Sequence, residues 1–305
     1  MRVLLLFPMT DGQTGPAIKH AFEQLGHNVK AVDAKRRPGI SYNIALKFKP
    51  TLILCSKTAA LARQVIAIKK KFPRIIICVW NVDTRSTIDH WKHLFPLIRA
   101  CDYYFVVEYN LLEEWRKLNV RTHWLPQGLQ DEIYGKPREI TETDRRKYSC
   151  DICFAGGVGG GPVHNDRILF LEAIRQAGFK LNVWGSEGKP RIYNENHNKA
   201  VFLSKINLGI SALPKNEKYA SVRNYKILGA GGFLLELYRK GIYEIFPENI
   251  FDCYKSPDDL VEKIRYWLKN EQERKECAER GYKWVHENAT YTHRIREALS
   301  YIKEL

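Results

Sequence analysis

Runs of Ile, Leu and Val alternate with stretches of helical period along this chain, and the pattern predicts an α/β protein. The expected form is two Rossmann-like domains facing across a cleft. Three observations carry this. "RVLLLF", "TLILCS" and "RIIICVW" are near-continuous apolar runs of the kind found in parallel strands covered on both faces. Amphipathic segments such as "GPAIKHAFEQLGHNV" lie between them and have the length of crossover helices. The alternation stops at the polar stretch "LQDEIYGKPREITETDRRKYS" and restarts at "CDICFAGGVGGG".

In order, "RVLLLF" is the first strand, followed by a helix ending near Gly26 and the strand "VKAVDA". "TLILCS", "RIIICVW" and "DYYFVVE" continue the sheet, with helices expected over 57–72, 87–99 and 111–118. "THWLPQG" closes this unit with Pro126 and Gly128. The second unit reads as strand "CDICFA", a glycine loop, and helix "NDRILFLEAIRQAGF" with Asn165 as its cap. The strands "KLNVWG", "KINLGIS" and "GGFLLEL" and three closing helices complete it. The expected domains are 1–135 and 151–289, joined by a linker at 136–150. A last helix at 290–305 is expected to pack back on the first domain.

The chain has 305 residues, 45% hydrophobic and 27% charged, which suits two ordinary globular domains. No apolar run approaches the roughly 18–20 residues of a membrane span. "MRVLLLFPMTDG" lacks a cleavage site and reads as a buried strand, not a signal peptide. The seven cysteines are scattered in apolar runs, as free buried thiols of a reducing cytoplasm would be. Cys150 and Cys153 form a lone CxxC without a second pair, so no metal is expected there.

The net charge of +15 is local. From Ala34 to Val82 there are eleven Lys and Arg and no Asp or Glu, whereas the rest of the chain holds 38 basic and 34 acidic residues. A solvated surface normally mixes signs. A single-sign field of this size points to a polyanion or an anionic surface.

Three loops of the second half can carry chemistry, because ligands of open α/β sheets sit beyond the carboxyl ends of the strands. In "FAGGVGGGPVHNDR", Gly156 and Gly157 allow a backbone to approach an anion, and Arg167 opens the following helix. In "NVWGSEG", Gly185 beside Trp184 leaves room for a flat base. In "SVRNYKILGAGGFLL", Arg223 and Lys226 share a helix face with Tyr225 between them, and Gly231 belongs to the cluster that follows. Such cations suit phosphate oxygens. Lys205, ahead of "INLG", is a further candidate. The plainer alternatives are a flexible turn, a core tryptophan and a solvated helix.

The run "SKINLGIS…SVRNYKILGAGGFLLELYRKGIYEIF…YKSPDDLVEKIRYWLKNEQERKECAERGYKWVHENATYTHRI" resembles the CgeB-like glycosyltransferases of the GT-B class, which take their name from a spore-maturation protein. The resemblance covers most of Asp151–Ile295 and extends more loosely to "VWNVDTRS" and "THWLPQG". It implies transfer of a sugar from a nucleotide sugar, UDP-linked by preference. The donor would lie on the second domain and the acceptor mostly on the first. Family members often carry Glu where this chain has Lys226; Glu236 is the candidate to replace it at a ribose hydroxyl. No Asp-x-Asp metal motif occurs, so the leaving diphosphate would be stabilised by cations and helix dipoles with no metal cofactor.

An inverting transfer needs a base for the acceptor hydroxyl. Asp83, the first carboxylate after the cationic stretch and just past "IIICVWN", is the first candidate, with capping of the next helix as its alternative role. Asp11 in "MTDGQTG" is the second. His90 and His93 lack a third ligand and read as surface residues. Lys35, Arg36, Arg37 and Arg85 are expected at the acceptor, which is then anionic. DNA with a hydroxylated base is the favoured acceptor, and a flipped base would be its reacting form. A cell-surface glycan or an anionic lipid, with peripheral membrane contact, is the second reading. A non-catalytic nucleic-acid-binding protein on a transferase fold is the third.

Overall fold

A computed structural model of the chain describes residues 1–10, 12–159, 166–213 and 215–302. It divides into two compact units, residues 1–127 with 291–305, and residues 128–290.

The first unit is a six-stranded sheet of β1 (Arg2–Phe7), β2 (Asn28–Asp33), β3 (Leu52–Ser56), β4 (Ile76–Asn81), β5 (Tyr103–Val106) and β6 (Thr122–Trp124), in the order β2-β1-β3-β4-β5-β6. Every neighbouring pair is parallel. Its helices are α1 (Thr14–Gln24), α2 (Ser41–Phe48), α3 (Leu61–Lys71), α4 (Phe95–Ala100) and α5 (Leu112–Arg116). The apolar runs behave as their composition requires: β3 and β4 are buried at every position. Side chains of β1 alternate between two cores. Leu4 and Leu6 face the α2–α5 side, and Val3, Leu5 and Phe7 face α1. The expected single helix over 87–99 is instead a 3₁₀ turn, Ile88–Leu94, followed by α4, whose Pro96 stands in the first turn.

The second unit has a five-stranded parallel sheet of β7 (Cys150–Ala155), β8 (Leu181–Trp184), β9 (Ser204–Gly209), β10 (Leu234–Leu237) and β11 (Asp252–Tyr254), in the order β11-β10-β9-β7-β8. Its helices are α6 (Glu142–Tyr148), α7 (Asp166–Gln176), α8 (Asn194–Phe202), α9 (Val222–Gly229), α10 (Pro257–Lys269) and α11 (Glu271–Asn288). Strand order reverses between β7 and β9, and such a switch point opens a crevice at the carboxyl ends.

The stretch 136–150 is not a linker. It belongs to the second unit and contains α6, whose start is a capping box between Thr141 and Asp144 and whose Tyr148 is buried. The chain changes unit at Gln127 and returns at Tyr291. The last helix, α12 (Tyr291–Ser300), buries Tyr291, Ile295 and Ala298 beside Ile18, Ala21 and Phe22 of α1. Tyr291 donates to Gln127 at 2.8 Å, and Gln127 donates to the Val82 carbonyl at 2.6 Å, so the loop after β4 is tied to this helix. All seven cysteines are free and buried. Among the described residues no helix is long and apolar enough to cross a membrane.

Candidate functional site

The carboxyl ends of β7 and β8 and the start of α9 enclose a pocket of about 390 Å³. Gly156, Gly157, Arg167, Trp184, Arg223 and Lys226 all line it, so the structure brings together six residues drawn from three separate loops. Gly156 has a steric reason to be glycine. A Cβ there would run into the Arg223 guanidinium and lie 3.1 Å from the Phe154 ring.

The two arginines are held by backbone carbonyls. Arg223 donates from Nε to Ala155 at 2.8 Å, and Arg167 donates from Nε to Ile210 at 3.0 Å and from Nη1 to Gly157 at 2.7 Å. Both sit over Phe154, with guanidinium carbons 4.8 and 5.5 Å from the ring centre. Burial, then the neighbouring Arg223, lowers the Arg167 pKa to about 10. Burial also lowers that of Arg223, with Glu236 opposing it. Two fixed cations beside a glycine loop can receive an anion, through the N–H donors that the carbonyls leave over.

Lys226, one turn along α9, donates to the Tyr134 hydroxyl at 2.9 Å and lies 4.2 Å from that ring's centre. Burial and then Arg223 push its pKa down to about 8. His197 of α8 packs edge-on against Tyr134 and is held neutral, its pKa lowered to about 3 by burial and then by Lys226 and Arg223. Tyr134, Arg191, Tyr193 and His197 line the same pocket and escaped the sequence reading. Tyr134 stands in a stretch with no core-forming period, and His197 lies on α8, whose "NENHNKAVF" shows little apolar face.

Four of the expected donor residues are elsewhere. Lys205 is near the amino end of β9 and pairs with Asp151 at 2.8 Å. Gly231 adopts φ 75° in the turn before β10, beside Lys136, and both line another depression at the opposite end of the strands. Tyr225 is fully buried against Phe246, 5.0 Å between ring centres. Glu236 is fully buried on β10, 3.8 Å from Arg239, and does not line the pocket. Burial raises its pKa, opposed by Arg239 and then Ser211. Gly185 stands at the pocket's edge with φ 91°, its missing Cβ leaving space for Arg191.

In the first unit Asp83 follows β4 at its carboxyl end. Its carboxylate pairs with Lys57 and its side chain is 46% exposed. It caps no helix: the next helical turn begins at Ile88, with Thr87 at its N-cap. Lys57 lies 4.9 Å and Arg85 5.1 Å from the Trp91 ring centre. Beneath them Glu108 is 0% exposed. Its Oε1 accepts from the Arg85 backbone at 3.2 Å and from Trp91 Nε1 at 3.4 Å. Burial drives the Glu108 pKa up to about 7 and that of Lys57 down to about 8. Lys35, Arg36 and Arg37 are exposed in the loop after β2. The Lys35 and Arg36 backbones donate to Asp33 at 3.0 and 3.1 Å. Asp11, Asn165 and the last glycines of the second unit's loop, Gly160 and Gly161, lie outside the described residues. Among those described, no three His, Cys, Asp or Glu side chains are grouped to hold a metal ion.

The glycosyl transferase-like family model matches residues 167–300. No curated protein matches the sequence. Among solved structures, HepE of Anabaena in complex with UDP and glucose superposes with a TM-score of 0.66 at 12% identity, over 99% of this chain and 100% of that one. A glycosyltransferase from Rickettsia africae gives 0.66 at 11%, over 99% and 98%. The T4 phage BGT, as a mutant in complex with UDP-glucose, gives 0.61 at 10%, over 100% and 99%. The chain therefore has the GT-B fold, two parallel α/β sheets, and its glycosyl transferase-like region runs through most of the second unit into α12.

Proposed function

We propose that the protein is a metal-independent glycosyltransferase of the CgeB-like kind that uses a nucleotide-diphosphate sugar, UDP-linked by preference. The observation that carries this is the pocket at the ends of β7 and β8, where Arg167, Arg223 and Lys226 converge on a glycine loop. In the reaction the acceptor oxygen bonds to the anomeric carbon as the bond to the diphosphate breaks. The arginines stabilise charge gathering on the departing diphosphate. Asp83, which pairs with Lys57 at the carboxyl end of β4, takes the acceptor proton.

The acceptor is anionic, and DNA carrying a hydroxymethylated base fits best. Lys35, Arg36, Arg37, Lys47, Lys49, Arg63, Lys70, Lys71 and Arg74 are all exposed on the first unit. No carboxylate interrupts the sequence that supplies them. A lipid headgroup is the second reading, favoured by Ile40 and Ile66, which are 40% and 51% exposed among these cations.

The test is incubation with a panel of nucleotide sugars and duplex DNA, plain or carrying 5-hydroxymethylcytosine or 5-hydroxymethyluracil. Digested nucleosides are weighed by mass spectrometry while free nucleoside diphosphate is assayed. A sugar-sized mass gain on the modified nucleoside is the expected result. Diphosphate release without a gain would remove DNA and leave the transferase; neither signal would overturn both.

A further inference from the structure

The cations of the nucleotide pocket outnumber the charges a diphosphate brings. Arg167, Arg191, Arg223 and Lys226 line it, and among the described residues no Asp or Glu does. Beneath it, Glu236 and Arg239 are both fully buried and 3.8 Å apart, and Glu236 acts on Arg223 as well. A diphosphate between nucleoside and sugar carries a single charge on each phosphate, which Arg167 and Arg223 can match. Arg191 is exposed to solvent, so Lys226 is the sequestered cation left over. Its hydrogen bond goes to a neutral phenol, Tyr134, and among the described residues no carboxylate pairs with it. A sequestered ammonium without a counter-charge is unfavourable.

Two neutral groups beside it also wait on a ligand. His197 and Trp184 line the pocket, each no more than 5% exposed, and among the described residues His197 Nδ1 and Trp184 Nε1 have no hydrogen-bond partner. A buried polar atom without a partner is destabilising unless something bound there satisfies it.

We infer that the ligand carries a third anionic group, a carboxylate or phosphate beyond its diphosphate, and that Lys226 is the residue that selects it. This rests on the nucleotide-sugar reading and narrows it to donors with an acidic sugar or a phosphorylated ribose. The Tyr134 hydroxyl holds the ammonium, and His197 packs edge-on against the Tyr134 ring.

The test is calorimetric. UDP, ADP and GDP are compared first to fix the base. For uridine, UDP-glucuronate is then measured against UDP-glucose, and uridine 3′,5′-bisphosphate against UMP. The first pair probes an anion on the sugar and the second an anion on the ribose. In one pair the wild type is expected to prefer the more anionic member about tenfold or more, the usual worth of a sequestered charged hydrogen bond. Lys226→Met should reduce that preference to within about threefold, and Lys226→Arg should retain it. Thermal unfolding of each variant confirms that it is folded. Equal affinity within both pairs, in a protein that binds a nucleoside diphosphate, would overturn the inference and leave the transferase reading standing. A preference unchanged in Lys226→Met would overturn the role of Lys226. Failure to bind any of the three diphosphates would overturn both readings.

Discussion

The two units end their parallel strands in opposite electrostatic states. Past β3, β4 and β5 of the first unit, Lys57, Asp83, Arg85 and Glu108 mix signs within one cluster, and Asp83 already holds a cation. Past β7 and β8 of the second unit, cations line the pocket, and among the described residues no carboxylate does. The first arrangement is neutralised from within, and burial moves Glu108 up to about 7 and Lys57 down to about 8. The second is neutralised only by what binds. On the proposed function, one backbone architecture would support proton handling in one unit and anion capture in the other, with side chains deciding which.

The largest expected effect tests the first half of that contrast. Asp83→Asn should lower turnover in the sugar-transfer assay by about 10²- to 10⁴-fold, the usual worth of a general base, while nucleotide binding is retained. Equal turnover would reduce Asp83 to a surface partner of Lys57. Arg223→Met tests the second half. It should weaken UDP binding roughly ten- to a hundredfold by calorimetry, because a fixed charged donor is lost. Gly156→Ala should act in the same direction without removing a charge, since the added methyl displaces that guanidinium.

A pH series sharpens the comparison further. Glu108 has an ordinary value of 4.5 and a folded-state value of about 7. Between those values the folded chain keeps a proton that the unfolded chain has released, so stability falls as pH rises through the window. The loss amounts to about 3 kcal/mol at most, and Glu108→Gln should flatten it in denaturant titrations at pH 5 and pH 7.5. The smallest effect concerns the cationic face. Lys47→Glu with Lys49→Glu should weaken duplex DNA binding modestly and reduce its salt slope by about two. An unaltered slope would move the acceptor surface elsewhere on the chain.

The apolar runs of β1, β3 and β4 were legible because strands covered on both faces leave no polar positions to confuse the period. The glycine loop and the Arg223–Lys226 face were legible because each is a local signal. Other assignments failed against rules the sequence already obeyed. Lys205 precedes "INLG", and a residue at a strand's start lies at the end away from the ligand. Tyr225, two positions from Arg223, projects to roughly the opposite side of a helix with 3.6 residues per turn and so enters the core. Helix α6 hid in a polar stretch because Tyr148 is its lone buried residue, though Thr141 and Asp144 spelled its cap. Tyr134 and His197 were invisible for another reason: their place in the pocket depends on α8 packing near β7, a long-range contact no local pattern encodes.

The return of the chain at Tyr291 has a consequence for how the protein is made. Leu125, Ile18 and Phe22 share their core with Ile295 and Ile302, which are synthesised after the entire second unit. At a ribosomal pace of roughly 5–20 residues per second, the first unit's core stays open while the 163 residues from Gly128 to Thr290 emerge. The unit begun first is finished last, and its unsealed apolar face is what a chaperone would meet during that interval.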